Sequence, residues 1–270
     1  MTSTTLRLSK SDRTVALRDH GAGDPVVLVH GVGMQSAAWG PQIDALAKDY
    51  RVIAVDMPGH GGSDPLPEGS SLTDYVAWCS QVIEELGLGP VALVGHSMGA
   101  LIAAGFAIEH PSKATRVALL NGVFKRNSTA RNAVIARAST LRDGEIDLKT
   151  PLDRWFGDSA VDQAARNQVA GWLSDVNLDG YATAYTAFAH GDATYADRIS
   201  EIECPFLALT ADGDQNSTPE MSHAMAALAK NGRAVVIRGH RHMVNLTAAD
   251  EVNTHLLDWL HAPVSQKELQ

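Results

Sequence analysis

Short, wholly apolar runs recur along the chain and alternate with segments that have the apolar spacing of a helix. Residues 26–29 read Val-Val-Leu-Val and residues 91–94 read Val-Ala-Leu-Val. Strands that are covered on both faces show such continuous hydrophobicity. The pattern predicts buried strands at 26–29, 51–56, 91–94, 116–120, 205–210 and 233–238, and helices at 39–48, 72–86, 98–109, 219–230 and 249–260. This order predicts an α/β fold with a mostly parallel central sheet flanked by helices.

The alternation of strands and helices stops between residues 125 and 201, where only helical periods and loops occur. A large part of the aromatic residues lies there. An insertion of this size between two core strands predicts a helical cap over the C-terminal edge of the sheet. We therefore predict a core formed by residues 1–124 and 202–270, with an inserted cap subdomain at 125–201. The alternative is that the stretch merely continues the core.

The composition is that of a globular chain and argues against one class of partner. The 270 residues are 45% hydrophobic and 20% charged, and the formal net charge is −9. Nucleic-acid binding needs a basic surface, so the acidic balance argues against it. No run approaches the roughly 18 apolar residues of a membrane span, and the first ten residues lack the apolar stretch of a secretory signal. We expect a cytoplasmic enzyme without a membrane partner, and a homodimer is left open.

A pentapeptide, Gly95-His96-Ser97-Met98-Gly99, follows one predicted strand and precedes an alanine-rich predicted helix. A strand, Gly-x-Ser-x-Gly and a helix in this order form the nucleophile-elbow pattern, in which a sharp turn exposes the serine hydroxyl. The two glycines lack the side chains that would clash where the turn packs on its neighbours. Ser97 is therefore the predicted nucleophile.

A serine nucleophile needs a general base, and the best candidate follows the last predicted strand. His242 lies in residues 239–243, Gly-His-Arg-His-Met, directly after strand 233–238. A histidine on this loop can reach back over the edge of the sheet to the serine. His240 is the competitor, but alternation along the chain points its side chain elsewhere. We therefore predict that His242 is the base.

An acid must hold the imidazole in its productive tautomer, and two aspartates follow strand 205–210. These are Asp212 and Asp214, and either could instead be a turn former or a helix cap. We favour Asp214 because it directly precedes the segment that starts the next helix. The other place for an acid, after strand 116–120, holds Asn121.

The loop His30-Gly31-Val32-Gly33 directly follows the first buried strand. Glycines there allow the main chain to approach a reacting carbonyl group. We predict an oxyanion hole formed by the backbone amides of Val32 and of Met98, the residue after the serine. Each preorganised donor of this kind contributes about 10²–10³ in rate. The alternative is that His30 and Gly31 form an ordinary turn.

The predicted nucleophile, base, acid and oxyanion hole occur together in a chain that resembles the α/β-hydrolase fold superfamily over nearly all of its length outside residues 125–201. Residues 56–64, Asp-Met-Pro-Gly-His-Gly-Gly-Ser-Asp, resemble the Asp-x-x-Gly-x-Gly-x-Ser loop of that superfamily, which is usually structural. The order Ser97, Asp214, His242 is the order that the superfamily implies. The spacing from the 30–33 loop to Trp-Gly-Pro-Gln at 39–42 is similar to the 3-oxoadipate enol-lactonase branch.

The same stretch also resembles the meta-cleavage carbon–carbon hydrolases. Their loop usually has Gly-Pro-Gly where this chain has Gly33-Met34-Gln35, and this departure weakens that reading. A serine at position 97 excludes the dehalogenase and epoxide-hydrolase branches, because those have aspartate at the corresponding place.

Residues and resemblance together predict a serine hydrolase that cleaves a small carboxylic ester or lactone through an acyl-enzyme on Ser97, with no metal or organic cofactor. The same triad also allows carbon–carbon or amide hydrolysis of an aromatic-degradation type of substrate, or cofactor-free haloperoxidase or perhydrolase activity. A non-catalytic ligand receptor is the alternative from another class. Fold resemblance alone does not decide among these.

The cap is predicted to set substrate choice, with Trp155, Trp172 and Arg126 as candidate contacts. Either tryptophan could instead pack the cap against the core. A carboxylate-binding role is open to the cap arginines as a group, although most are expected to be solvated: Arg126, Arg131, Arg137, Arg142, Arg154 and Arg166.

Overall fold

One eight-stranded sheet runs through the part of the chain that the computed structural model describes, which is residues 3–141 and 147–263. Its strands are β1 (Thr4–Leu8), β2 (Arg13–His20), β3 (Pro25–Val29), β4 (Arg51–Val55), β5 (Val91–His96), β6 (Ala114–Leu120), β7 (Phe206–Ala211) and β8 (Gly232–Ile237). Their order is β1-β2-β4-β3-β5-β6-β7-β8. The β1–β2 and β2–β4 pairs are antiparallel and the other pairs are parallel. The predicted mostly parallel α/β sheet is confirmed.

The two N-terminal strands are the part of the sheet that the hydrophobic pattern did not predict. Strand β1 lies at the edge of the sheet, and four of its five residues are exposed or half-buried. Only the central residues of β2 are buried. Half-covered strands carry polar residues, so neither strand has the continuous apolar run that marks the buried parallel strands.

Helices cover both faces of the sheet. They are α1 (Gly40–Leu46), α2 (Leu72–Glu85), α3 (Met98–Glu109), α4 (Ser128–Leu141), α5 (Lys149–Trp155), α6 (Ala160–Ser174), α7 (Leu178–Gly191), α8 (Pro219–Leu228), α9 (Val244–Thr247) and α10 (Ala249–His261). Helices α3 and α8 pack on the central and C-terminal strands, and α1 packs against α10. Val27 and Val29 belong to one buried cluster and Val26 and Leu28 to the other, so β3 is wholly apolar because each of its faces is covered.

Residues 125–201 contribute helices α4 to α7, all inserted between β6 and β7. Side chains from this stretch, among them Leu173 and Tyr181, join the same buried cluster as α3. The chain backbones approach closely where Gly59 meets Gly180, since a Cβ on either would lie 2.5 Å from the other's Cα. The cap subdomain stays a prediction, and Arg142 lies outside the described residues. None of the helices in the described ranges has the length and hydropathy to cross a membrane.

The carboxyl ends of the central strands meet at one edge of the sheet. Val29 pairs with Gly95, and His96 pairs with Leu120. On the far side, Ala211 pairs with Ile237. The loops that leave β3, β5, β6, β7 and β8 therefore start side by side, which is where open α/β sheets bind their ligands.

Candidate active site

Ser97 occupies a strained turn between β5 and α3. Its backbone has φ 54° and ψ −112°, in the region that non-glycine residues rarely adopt. The turn has no room for side chains on either flank, because a Cβ on Gly95 would overlap the carbonyl of Gly99, and one on Gly99 would overlap the carbonyl oxygen of Val29. The Ser97 amide donates to the Leu120 carbonyl at 2.9 Å, which ties the turn to the end of β6.

His242 and Asp214 form a buried hydrogen-bonded pair. The His242 Nδ1 lies 2.8 Å from Asp214 Oδ2, and both side chains are at most 4% exposed. The other carboxylate oxygen accepts the backbone amides of Asn216 at 2.8 Å and Ser217 at 3.2 Å. Burial raises the pKa of Asp214, but the charge of His242 and these hydrogen bonds outweigh it, so the pKa lies below its usual value.

The competing candidates at each position point elsewhere. Asp212 caps a turn, since its Oδ1 accepts the Gly239 amide at 2.8 Å. His240 Nδ1 lies 3.0 Å from the Thr247 hydroxyl. The structure therefore brings Asp214, and not Asp212, to His242.

Ser97 and His242 line the same cavity. No hydrogen bond joins the Ser97 hydroxyl to the His242 ring among residues 3–141 and 147–263. In free enzymes this contact is often long and shortens when substrate binds. His96 packs next to His242: its Nε2 donates to the His242 carbonyl at 2.9 Å, and the two ring centroids are 5.0 Å apart.

The early loop lies directly against the serine. A Cβ on Gly31 would be 3.0 Å from the Cβ of Ser97, and Gly33 has φ 82°. Met98 is the first residue of α3, so its amide has no acceptor inside the helix. The amide of Val32 donates to no group in the described part of the chain. Two unused donors thus flank the serine, as an oxyanion hole requires.

Two buried histidines, which the sequence analysis did not assign a role, hold this loop. The Gly33 amide donates to Nε2 of His60, and the Met57 amide donates to Nε2 of His30, each at 2.9 Å. The Nδ1 of each ring donates to a nearby carbonyl, which fixes one neutral tautomer for both. Burial lowers the pKa of His30 to about 4 and that of His60 to about 3.

The cavity has a volume of about 440 Å³ and a cationic, aromatic wall. Its charged lining residues are Arg126, Arg137 and Arg154, and no aspartate or glutamate lines it within the described residues. The aromatic part of the wall consists of Trp155, Tyr181, Tyr185 and Phe188. The Trp155 ring centroid is 5.7 Å from that of His242.

Trp172 does not line this cavity, in contrast to the sequence prediction. It is half-buried on α6 and packs against the hydrophobic core. Arg131 and Arg166 also lie outside the lining of this cavity. Arg131 pairs with Asp192 at 3.2 Å, and Arg166 pairs with Asp153 at 2.6 Å.

Arg126 is the most constrained of the three lining arginines. Its side chain is 4% exposed, and its Nη1 lies 3.3 Å from Oδ1 of the fully buried Asp192. Its Cζ lies 4.2 Å from the centroid of the Phe188 ring, which fixes the guanidinium plane. The Nη2 atom is buried and has no hydrogen-bond partner in the described residues.

Comparison with known proteins establishes the family. The model of the alpha/beta hydrolase family matches residues 26–255, which includes the loops that carry Ser97, Asp214 and His242. The chain belongs to the alpha/beta hydrolase family. It is 52% identical over 260 residues to an (E)-2-((N-methylformamido)methylene)succinate hydrolase of Acinetobacter baylyi, covering 96% of this chain and 98% of the relative. The chain is therefore a hydrolase.

Solved alpha/beta hydrolases share the fold at lower identity. A thermophilic esterase from Thermogutta terrifontis superposes with a TM-score of 0.87 at 23% identity, covering 96% of this chain and 98% of the esterase. An enol-lactonase from Burkholderia xenovorans gives a TM-score of 0.85 at 22% identity, covering 96% and 100% of the two chains. At this identity the likeness supports the fold and leaves the substrate to the site itself.

Proposed function

We propose that this hydrolase cleaves an acyl–nitrogen bond in a small substrate that carries two carboxylates. The charge of the cavity wall carries the proposal. Ser97 and His242 share a cavity with three arginines, and the described part of its lining has no acidic side chain. Asp192 pairs with Arg126 behind the wall, so Arg137 and Arg154 supply most of the net positive charge. Such a cavity attracts an anion and places it next to the nucleophile.

Arg126 gives the cavity a place for a carboxylate. Its Nη2 is a buried donor without a partner in the described structure. An unsatisfied buried donor costs roughly 1–3 kcal/mol, and a carboxylate in the cavity would remove that cost by accepting a charge-assisted hydrogen bond. Arg137 and Arg154 are further donors on the same wall.

The 52% identical relative supports the choice of substrate class. The compound in that relative's name is a succinate, with two carboxylates, and bears an N-formyl group on an enamine nitrogen. We propose the same class of substrate for this chain. The amide alternative of the sequence analysis is thereby preferred to ester cleavage.

In the proposed reaction His242 accepts the Ser97 proton while the serine oxygen attacks the acyl carbon. Asp214 holds the imidazole in the required tautomer and stabilises the imidazolium. The amides of Val32 and Met98 bind the tetrahedral oxyanion. Collapse breaks the carbon–nitrogen bond, and His242 returns its proton to the leaving nitrogen. Water then attacks the acyl-enzyme with the same base, which releases a carboxylic acid and regenerates the serine.

Ester or lactone cleavage is the second candidate. The same groups attack any carboxylic acyl carbon, and residues 30–42 resemble the enol-lactonase branch. The proposed cap, residues 125–201, supplies Arg126, Arg137 and Arg154, so the inserted stretch would set substrate choice in either case.

A matched pair of substrates tests the proposal. The diacid (E)-2-((N-methylformamido)methylene)succinate and its dimethyl ester contain the same formamide but differ by two charges. We expect formate release from the diacid, and a kcat/KM for formate release at least about 100-fold lower on the diester, because two charge-assisted hydrogen bonds are lost. The Ser97→Ala variant is the control for enzymatic turnover. Equal rates on both compounds, or no formate from the diacid, would contradict the proposal.

A further inference from the structure

We propose that Asn121 is a positioning residue that holds the carboxylate of Asp214 in the orientation that His242 needs. The inference rests on the proposed roles of Ser97, Asp214 and His242. In the sequence, position 121 stands out only as a place after a predicted strand that holds asparagine and not an acid. The structure shows its side-chain amide within 2.8 Å of the acid that β7 supplies.

The backbone of Asn121 is fixed from both sides. It follows β6 directly, and its amide donates to the Leu209 carbonyl at 2.7 Å. Its carbonyl accepts the hydroxyl of Ser217 at 2.6 Å. The residue is fully buried and has φ 50°, a left-handed conformation that asparagine tolerates better than most residues.

The hydrogen-bond network decides which end of the amide faces the acid. The Thr210 hydroxyl donates to the Ser217 carbonyl at 2.6 Å, so it uses its only hydrogen there. It lies 3.3 Å from the Asn121 nitrogen and can only accept from it. The same NH₂ group donates to Asp214 Oδ2 at 2.8 Å. The donor end therefore faces the carboxylate.

All the positions around the Asp214 carboxylate are then accounted for. Oδ2 accepts from Asn121 and from His242, each at 2.8 Å. Oδ1 accepts two backbone amides of the following turn. With donors on both oxygens the carboxylate cannot rotate about its last bond without losing a hydrogen bond. The Asn121 bond keeps the lone pair of Oδ2 aimed at the imidazole.

The oxygen of the Asn121 amide indicates that asparagine is present for more than its tolerance of the left-handed backbone conformation. The Asn121 Oδ1 atom is buried and has no hydrogen-bond partner in the described residues. A glycine would adopt the same φ with no buried polar group to satisfy. Asparagine at this position thus leaves a buried acceptor unsatisfied while its donor end holds the acid.

Asn121→Gly is the sharpest variant, because glycine adopts the left-handed backbone without strain and carries no side chain that could contact Asp214. Asn253→Ala is the matched control. Asn253 is another buried asparagine, and its Nδ2 donates to the Pro41 carbonyl on α1, away from the triad. The measurements are the rate of fluorophosphonate labelling, which reports the reactivity of the serine whatever the substrate, and kcat and KM for formate release.

We expect Asn121→Gly to reduce the labelling rate and kcat at least about 10-fold with KM within about twofold, while Asn253→Ala changes neither rate beyond about twofold. Circular dichroism and thermal unfolding verify that both variants fold. If folded Asn121→Gly is labelled and turns over at the native rates, the positioning role is wrong. If the native protein itself is not labelled, the proposed function fails, which is a separate outcome.

Discussion

The buried histidines His30 and His60, which accept backbone amides near the loop after β3, predict a loss of stability on mild acidification. His60 Nε2 accepts the Gly33 amide and His30 Nε2 accepts the Met57 amide, so protonating either ring would set two N–H groups against each other. Burial lowers the pKa of His60 to about 3 and that of His30 to about 4, whereas an unfolded histidine titrates near 6.5. The unfolded chain therefore binds more protons than the folded chain below pH 6.5.

The sign and the size of the effect follow from linkage. A lowered folded-state pKa contributes stability that is fully present above pH 6.5 and is lost as the pH falls toward the folded value. Between pH 8 and pH 5 each of the two histidines reduces the free energy of unfolding by about 2 kcal/mol. His96, whose pKa burial also lowers to about 3, adds a similar amount. The sum is comparable with the whole stability of an ordinary domain, about 5–15 kcal/mol.

Urea unfolding followed by tryptophan fluorescence at pH 8, 6.5 and 5 measures this loss. The informative variant is His60→Gln, because a glutamine carbonyl accepts the Gly33 amide and does not titrate. We expect the loss between pH 8 and pH 5 to be about 2 kcal/mol smaller in His60→Gln than in the native protein. An equal loss in both proteins would refute the assignment of His60 as a buried neutral acceptor.

Three further substitutions, two of them with a control substitution, test the packing of the turn, the cavity and the proposed acid. Gly99→Ala should lower the melting temperature by at least about 5 °C or prevent folding, because the elbow has no room for a Cβ, while Gly89→Ala, with open space around it, should shift it by less than about 2 °C in the same thermal scan. Arg126→Lys keeps the charge but loses the planar guanidinium and its paired N–H donors. Steady-state kinetics should therefore show KM for the diacid raised at least about 10-fold with a smaller effect on kcat. Asp214→Asn should lower kcat by about 10³–10⁴, whereas Asp212→Asn should leave kcat within about threefold of the native value. If Asp212→Asn has the larger effect, Asp212 and not Asp214 is the acid.

The hydrophobic pattern predicted the strands of the sheet that are buried on both faces and missed β1 and β2, which are not. Strands β3 and β5 are covered on both faces, and their unbroken apolar runs predicted them within two residues. Strands β1 and β2 are buried only in part and carry shorter apolar runs, so their pairing became visible only in three dimensions. A continuous apolar run marks a strand that is buried on both faces, and an edge strand is only half buried.

In the candidate site, too, features set by local sequence were predictable and features set by tertiary contacts were not. The sharp turn at Ser97 was predictable because a strand-to-helix turn of this kind imposes glycines on its sequence neighbours. We expected Asp214 to meet His242 because each lies on the loop that leaves a predicted strand, and the structure shows this contact at 2.8 Å. The contact of Asn121 with Asp214 was not, because it joins residues 93 positions apart that only the register of β6 and β7 brings together. Trp172 packs against the core, which is the alternative that the sequence left open, because helical period does not reveal whether an aromatic side chain faces a cavity or the core.

The central claim is that Ser97 is a nucleophile activated by His242. Intact-protein mass spectrometry after exposure to a fluorophosphonate, followed by peptide mapping, tests it most directly. We expect one adduct, located on Ser97, absent from Ser97→Ala and formed at least about 10³-fold more slowly in His242→Ala. A native protein that stays unlabelled, an adduct on another residue, or undiminished labelling of His242→Ala would contradict it.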